Sequence, residues 1–229
     1  ILASLAFGIE LQFEKIYTEG ISKVTIEDIH YAEELGYRIK HMGIACKTDK
    51  GVELRVHPTL IPLKRLIANV DGVMNAVLVY GDAVGPTLYY GAGAGAEPTA
   101  SAVIADIIDT ARTIDAPLHH KVPLLGFQTD AMRDTPVLSI DDVTTAYYLR
   151  MRAQDKPGVL AEVSETFAKN SISIEAVVQK EPISGESSVQ LIMLTQKCVE
   201  STVNQAIKAV EALASVHGGV VRIRVEHLG

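Results

Sequence analysis

Tryptophan is absent from this 229-residue chain and aromatic residues make up only 5% of it, so a core has to be built mainly from aliphatic side chains. Cysteine is as scarce. Cys46 and Cys198 stand far apart and alone, which excludes a disulfide framework and a clustered cysteine metal site, and makes a reducing cytoplasm the expected compartment. Positive charge is also in deficit: 21 Lys and Arg stand against 28 Asp and Glu, a net charge of −7. With no basic cluster interleaved with aromatics, neither nucleic acid nor an anionic membrane is an expected partner. Long apolar runs are missing too. The opening run, Ile1-Leu2-Ala3-Ser4-Leu5-Ala6-Phe7, is broken by Gly8 and Glu10 before it reaches membrane-spanning length, and no basic leader marks a secretory signal. That run has a helical pattern but neither an initiating Met nor a Ser, Thr or Asp cap. The expectation is therefore the C-terminal part of a longer protein, with the preceding segment packed beside residue 1.

What is present is a soluble globular composition, 48% hydrophobic, in a chain long enough for one or two domains. After the opening helix, Thr25 with Asp28 three residues on resembles a capping box, and Gly36 is placed to end the helix begun there. Residues 37–46 read as a strand. Thr48-Asp49-Lys50-Gly51 is a hairpin signal, and residues 52–57 alternate apolar and polar as a half-buried strand does. A short helix is expected over residues 63–70. Strands over 74–80 and 87–90 flank the turn Gly81-Asp82-Ala83-Val84-Gly85-Pro86. A helix over 99–113 then carries apolar residues 103, 104, 107, 108 and 111 on one face.

From residue 114 the periodicity breaks at Pro117, His119, His120, Pro123, Gly126 and Pro136, which marks a connection. The His119-His120 pair reads as solvated linker residues rather than a metal site. Beyond the connection the order is strand 145–152, turn Asp155-Lys156-Pro157-Gly158, helix 159–169, strand 172–179, a turn at 182–185, strand 188–195, helix 200–214 and strand 220–226. This βαββαβ order is the ferredoxin-like arrangement.

These residues carry two resemblances. Met151-Arg152-Ala153-Gln154-Asp155-Lys156-Pro157-Gly158-Val159-Leu160, with Asn170-Ser171-Ile172-Ser173-Ile174 after the helix, closely resembles the start of an ACT domain, the regulatory module of amino-acid-metabolic enzymes. The upstream half resembles the catalytic domain of the homoserine dehydrogenase family. It does so through residues 1–8, Glu19-Gly20-Ile21, Glu34-Leu35-Gly36-Tyr37, Gly72-Val73-Met74-Asn75-Ala76-Val77, Gly81-Asp82-Ala83-Val84-Gly85 and residues 91–106. The implied fold is α+β: a mixed-sheet substrate and dimerisation domain with helices on one face over residues 1–116, a linker over 117–143, and an ACT domain over 144–229. The implied chemistry is hydride transfer between a nicotinamide cofactor and the C4 aldehyde of aspartate semialdehyde, giving homoserine. The family's Rossmann domain and its Asp and Lys are expected upstream of Ile1, so no catalytic residue is expected within this chain. A fragment limited to these residues is expected neither to hold NAD(P) nor to turn over by itself.

The glycine loop Gly91-Ala92-Gly93-Ala94-Gly95-Ala96 formally satisfies a dinucleotide-binding fingerprint. No parallel strand with an acidic end comes after its helix, however, because a Pro- and His-bearing linker stands there instead. The resemblance implies that Gly91, Gly93, Gly95 and Glu97 contact the nicotinamide end of a cofactor held mostly elsewhere, with Ala92 standing where the family commonly has Pro. A purely steric turn is the other reading. In the second half, Asp155, Pro157, Gly158, Val159 and Leu160 present backbone N–H groups at a helix start, suited to a small carboxylate. The resemblance adds Asn170 and Ile172 and implies an amino-acid effector, threonine by the pathway. A plain tight turn is the alternative. Lys40 reads as a solvated strand charge, Asp82 as a turn residue, Cys46 as a small core residue, and Glu19 as a family match of undefined role. No metal site is expected. Exposed strand edges imply self-association as a dimer or tetramer. Against the dehydrogenase reading stands a free-standing amino-acid-sensing module without catalysis.

Overall fold

The computed structural model describes residues 1–117, 127, 129–180 and 188–228. In chain order the elements are α1 (Leu2–Phe7), β1 (Tyr17–Thr18), α2 (Ile26–Glu34), β2 (Tyr37–Thr48), β3 (Gly51–Pro62), β4 (Met74–Gly81), β5 (Gly85–Ala92), α3 (Ala96–Thr113), β6 (Thr144–Gln154), α4 (Val159–Lys169), β7 (Ile174–Gln179), β8 (Ser188–Thr195), β9 (Cys198–Val199), α5 (Glu200–Glu211) and β10 (Val216–Val225). Short 3-10 turns lie at Phe13–Lys15, Leu66–Asn69, Thr129–Ala131 and Ile140–Asp142. The helix expected over 63–70 is thus a single 3-10 turn, because Pro62 ahead of it and a run of only four helical residues leave no length for an α-helix. The expected turn at 182–185 and the His119-His120 pair lie outside the described residues.

The elements fall into two compact units, one of residues 1–10 and 64–134, the other of residues 11–63 and 135–229. In the second unit the α+β reading holds. Strands β10-β6-β8-β7 are antiparallel neighbours, the ferredoxin-like order, with α4 and α5 on one face. Tyr147, Leu149 and Met151 of β6 project to that face and pack with Val163 and Phe167 of α4 and Val203 and Val210 of α5. Their neighbours Ala146 and Tyr148 point to the other face, as period two requires, and meet Leu60, Tyr37 and Ala32. A strand clothed on both faces is buried almost throughout, as β6 is.

The sheet does not stop at the regulatory-like half. β3 joins β10 in parallel, Arg224 beside Thr59 and Val225 beside Leu60, while β1 pairs with β3 in parallel and β2 antiparallel along its whole length. The strands therefore associate across the sequential division at 117–143, and residues 11–63 share a core with 135–229. The same pairing corrects the half-buried reading of residues 52–57: β3 has neighbours along both edges and is buried over nearly all of its twelve residues.

The first unit is simpler. β4 and β5 form a hairpin paired from Met74–Ala92 to Gly81–Gly85, and α1 ends at Gly8 in the left-handed conformation. α3 forms over the expected region but buries none of its residues: Val103, Ile104, Ile107 and Ile108, the expected apolar face, are 43–57% exposed.

Candidate functional site

The glycine loop is the exit of β5. Gly91 pairs with Asn75 across the hairpin, and Gly93 donates its N–H to Val73 O at 3.1 Å. Gly95, at φ 126°, precedes the first residue of α3 and accepts the Thr99 N–H at 3.2 Å. Residues 91–97 are all exposed, and Glu97 lies in the first turn of α3. The loop therefore offers backbone N–H groups and the positive end of an 18-residue helix. It offers no cation: the sequence holds no Lys or Arg between residues 66 and 111, and Glu97 places a carboxylate beside the helix start. That donor set suits an uncharged polar group, such as a carboxamide or sugar hydroxyl, better than a phosphate.

The second site lies where β6 gives way to α4. Ala153, Gln154, Asp155, Lys156, Pro157, Gly158, Val159, Leu160, Gln179, Val189 and Leu191 line a cavity of about 330 Å³, within the range of small-molecule sites. Gly158 stands at φ 92° ahead of α4, a left-handed conformation that only glycine adopts freely. Ala153, Val189 and Leu191 are buried and give the cavity an apolar floor. Gln154 is spoken for: its N–H donates to Ser215 O at 2.8 Å and its side-chain amide to Ala214 O at 3.2 Å. Five of the seven residues expected here come together, namely Asp155, Pro157, Gly158, Val159 and Leu160. Asn170 and Ile172 do not line the cavity. Asn170 donates to Thr166 O at the far end of α4, and Ile172 is buried in the core beneath.

Sequence reasoning missed a buried polar network in the same unit. Arg224 and Glu200 are 2% and 1% exposed, and the guanidinium meets the carboxylate through Nε and Nη2 at 2.9 and 2.5 Å. Arg222 and the Tyr147 hydroxyl reach the same carboxylate. Glu19 now has a role: its carboxylate accepts from Arg224 and from Tyr17, at 2.9 and 2.8 Å. Burial opposes its ionisation, yet these two donors outweigh burial and hold the carboxyl below its ordinary range. Burial, reinforced by the positive Arg224, pushes His57 down to about 3 and keeps it neutral. Its Nε2 faces Arg55 at 3.1 Å, and Arg55 pairs with Glu226 and Glu53. Apart from the family match at Glu19, the sequence signal was charge placed on otherwise apolar strands, at Arg55, Arg222 and Arg224.

The remaining candidates are ordinary. Lys40 is half-buried on β2 opposite Thr59, and Asp82 is exposed in the β4–β5 turn. Cys46, expected in the core, is exposed on β2, because β2 is covered over only part of its surface and residues 45–47 lie where cover is lacking. Among the described residues no three His, Cys, Asp or Glu are placed to hold a metal, and no helix is long and apolar enough to cross a membrane.

The βαββαβ sheet with its cavity at the β6–α4 loop coincides with the match to the ACT domain family profile, residues 147–215. The profile for homoserine dehydrogenase matches residues 1–108. Over its full length the chain is 58% identical to a homoserine dehydrogenase of Pseudomonas aeruginosa and 53% identical to one of Neisseria gonorrhoeae, covering 52% of each. It also superposes on all of its length with 51% of the crystal structure of a homoserine dehydrogenase from Thiobacillus denitrificans, TM-score 0.92 at 61% identity. The chain belongs to the homoserine dehydrogenase family. It spans about half the length of the curated relatives it matches.

Proposed function

We propose that in the whole protein this chain supplies the substrate-side and regulatory half of an NAD(P)-dependent oxidoreductase that interconverts homoserine and aspartate semialdehyde in the cytoplasm. The observation that carries the reading is the pairing of a cation-free, exposed glycine loop at the start of α3 with a separate ACT cavity, in a chain matched along its whole length by homoserine dehydrogenases. When bound, the nicotinamide cofactor supplies or accepts the hydride. The loop of Gly91, Gly93, Gly95 and Glu97 fits its nicotinamide end: N–H donors for a carboxamide and ribose, and nothing to neutralise a pyrophosphate. The ACT cavity takes an amino-acid effector, threonine first among candidates, its carboxylate at the N–H groups opening α4 beside Lys156 and its ammonium toward Asp155. The protein acts as a dimer or tetramer. Assays of homoserine oxidation with NAD+ and NADP+ test the reading. A chain extended upstream to the length of its relatives turns over, and residues 1–229 by themselves do not. An inactive extended chain refutes the dehydrogenase reading and leaves the amino-acid sensor.

A further inference from the structure

A side chain at Gly93 would have to displace another that already occupies the place. A Cβ built on Gly93 falls 1.4 Å from Asn75 Nδ2 and 2.6 Å from its Cγ. The strands explain the encounter. Asn75 on β4 stands opposite Gly91 on β5, and the bond from Gly93 N–H to Val73 O carries the ladder one step further, so that Asn75 and Gly93 are diagonal neighbours on one face of the hairpin. The other two glycines of the loop differ: nothing approaches a Cβ at Gly91, and only the Pro98 ring approaches one at Gly95. The middle glycine alone therefore serves a polar side chain of the same unit. That side chain needs a reason of its own. Asn is disfavoured in strands, and Asn75 is exposed between Met74 and Ala76 on β4, so neither propensity nor burial accounts for it.

We propose that Asn75 is a positioning residue for the cofactor loop. Lodged against Gly93, its carboxamide fixes the loop so that the backbone N–H groups after Gly93, at the start of α3, stay aligned for the polar end of the cofactor. This rests on the reading of the loop as a cofactor contact. It gives Gly93 a different duty from its neighbours, since an alanine there displaces the same carboxamide that Asn75→Ala removes.

Two measurements test it. In the extended chain, Asn75→Ala and Gly93→Ala each raise the KM for NAD(P)+ about tenfold, the cost of a misaligned loop. The KM for homoserine moves by less than about twofold, and the double variant is no worse than either single one. Effects of the two substitutions that multiply, a cofactor KM unmoved by Asn75→Ala, or equal losses for both substrates overturn the proposal. In residues 1–229 alone, amide hydrogen exchange over 91–95 quickens in both single variants and no further in the double variant, whereas exchange unchanged by Asn75→Ala overturns it. This second measurement needs no activity. An inactive extended chain with coupled exchange therefore refutes the cofactor reading, and an active one with uncoupled exchange refutes the positioning.

Discussion

A carboxylate taken wholly out of water has to find donors, and Asp28 finds them on two elements. It is fully buried. Its oxygens accept from Arg150 Nε at 2.5 Å, Arg150 Nη2 at 3.0 Å, the Tyr148 hydroxyl at 3.1 Å and the Thr25 N–H at 2.9 Å. One side chain thus caps α2 and ties it to β6. Asp28→Ala takes the carboxylate away from a guanidinium, which keeps Thr25 Oγ1, and from the buried Tyr148 hydroxyl, and is expected to cost about 3–5 kcal/mol in urea unfolding. Burial by itself raises the Asp28 carboxyl, but the bonds from Arg150 and Thr25 outweigh it and bring the group below its ordinary value of 3.8. Because the folded value lies below the unfolded one, the stabilisation is complete above about pH 4 and fades as pH falls through the folded value. Melts between pH 5 and pH 2.5 are expected to show a shallower acid slope for Asp28→Asn than for the unaltered chain. The capping half of this arrangement was legible, since Thr25 and Asp28 stand at capping-box spacing. The other half was not: Arg150 lies 122 positions away, and Glu19 and Arg224 are separated by 205. Pairing over such distances leaves no local pattern.

At the scale of elements, α4 is held by Val163 and Phe167, both fully buried against β6 and α5. Phe167→Ala is expected to cost about 3–5 kcal/mol in chemical denaturation. At the start of the same helix Gly158 adopts φ 92° with nothing within 4 Å of a Cβ, so substitution there strains the backbone without a clash. Gly158→Asp adds a negative charge at the proposed carboxylate position. Calorimetry is expected to show saturable threonine binding to the unaltered chain and none to the variant. The βαββαβ order was readable because short apolar strand runs and helices with one apolar face follow one another between clear turn signals. Its boundaries fell within a few residues of the observed ones for most elements. The union of β3 with β10 was not readable: a parallel pairing between distant strands has no turn to announce it, and the near-continuous burial of β3 is a consequence of that union.

For the whole molecule, the sequence carried the family through short motifs, while the structure changed how the chain is divided. The family profiles respect the order of the chain, residues 1–108 and 147–215. The compact units do not, because residues 11–63 build their sheet with 135–229. The glycine loop was legible as a loop, and the Pro- and His-bearing linker behind its helix argued against a complete dinucleotide site. The reason for its middle glycine was not legible, because that depends on where β4 places Asn75. The central claim, that this chain is the substrate-side and regulatory half of a nicotinamide-dependent homoserine dehydrogenase, rests most directly on one assay: homoserine-dependent reduction of NAD+ and NADP+ by a chain extended upstream to its relatives' length, beside residues 1–229 alone. The account predicts turnover from the first and none from the second. No turnover from a folded extended chain, or equal turnover from both, contradicts it.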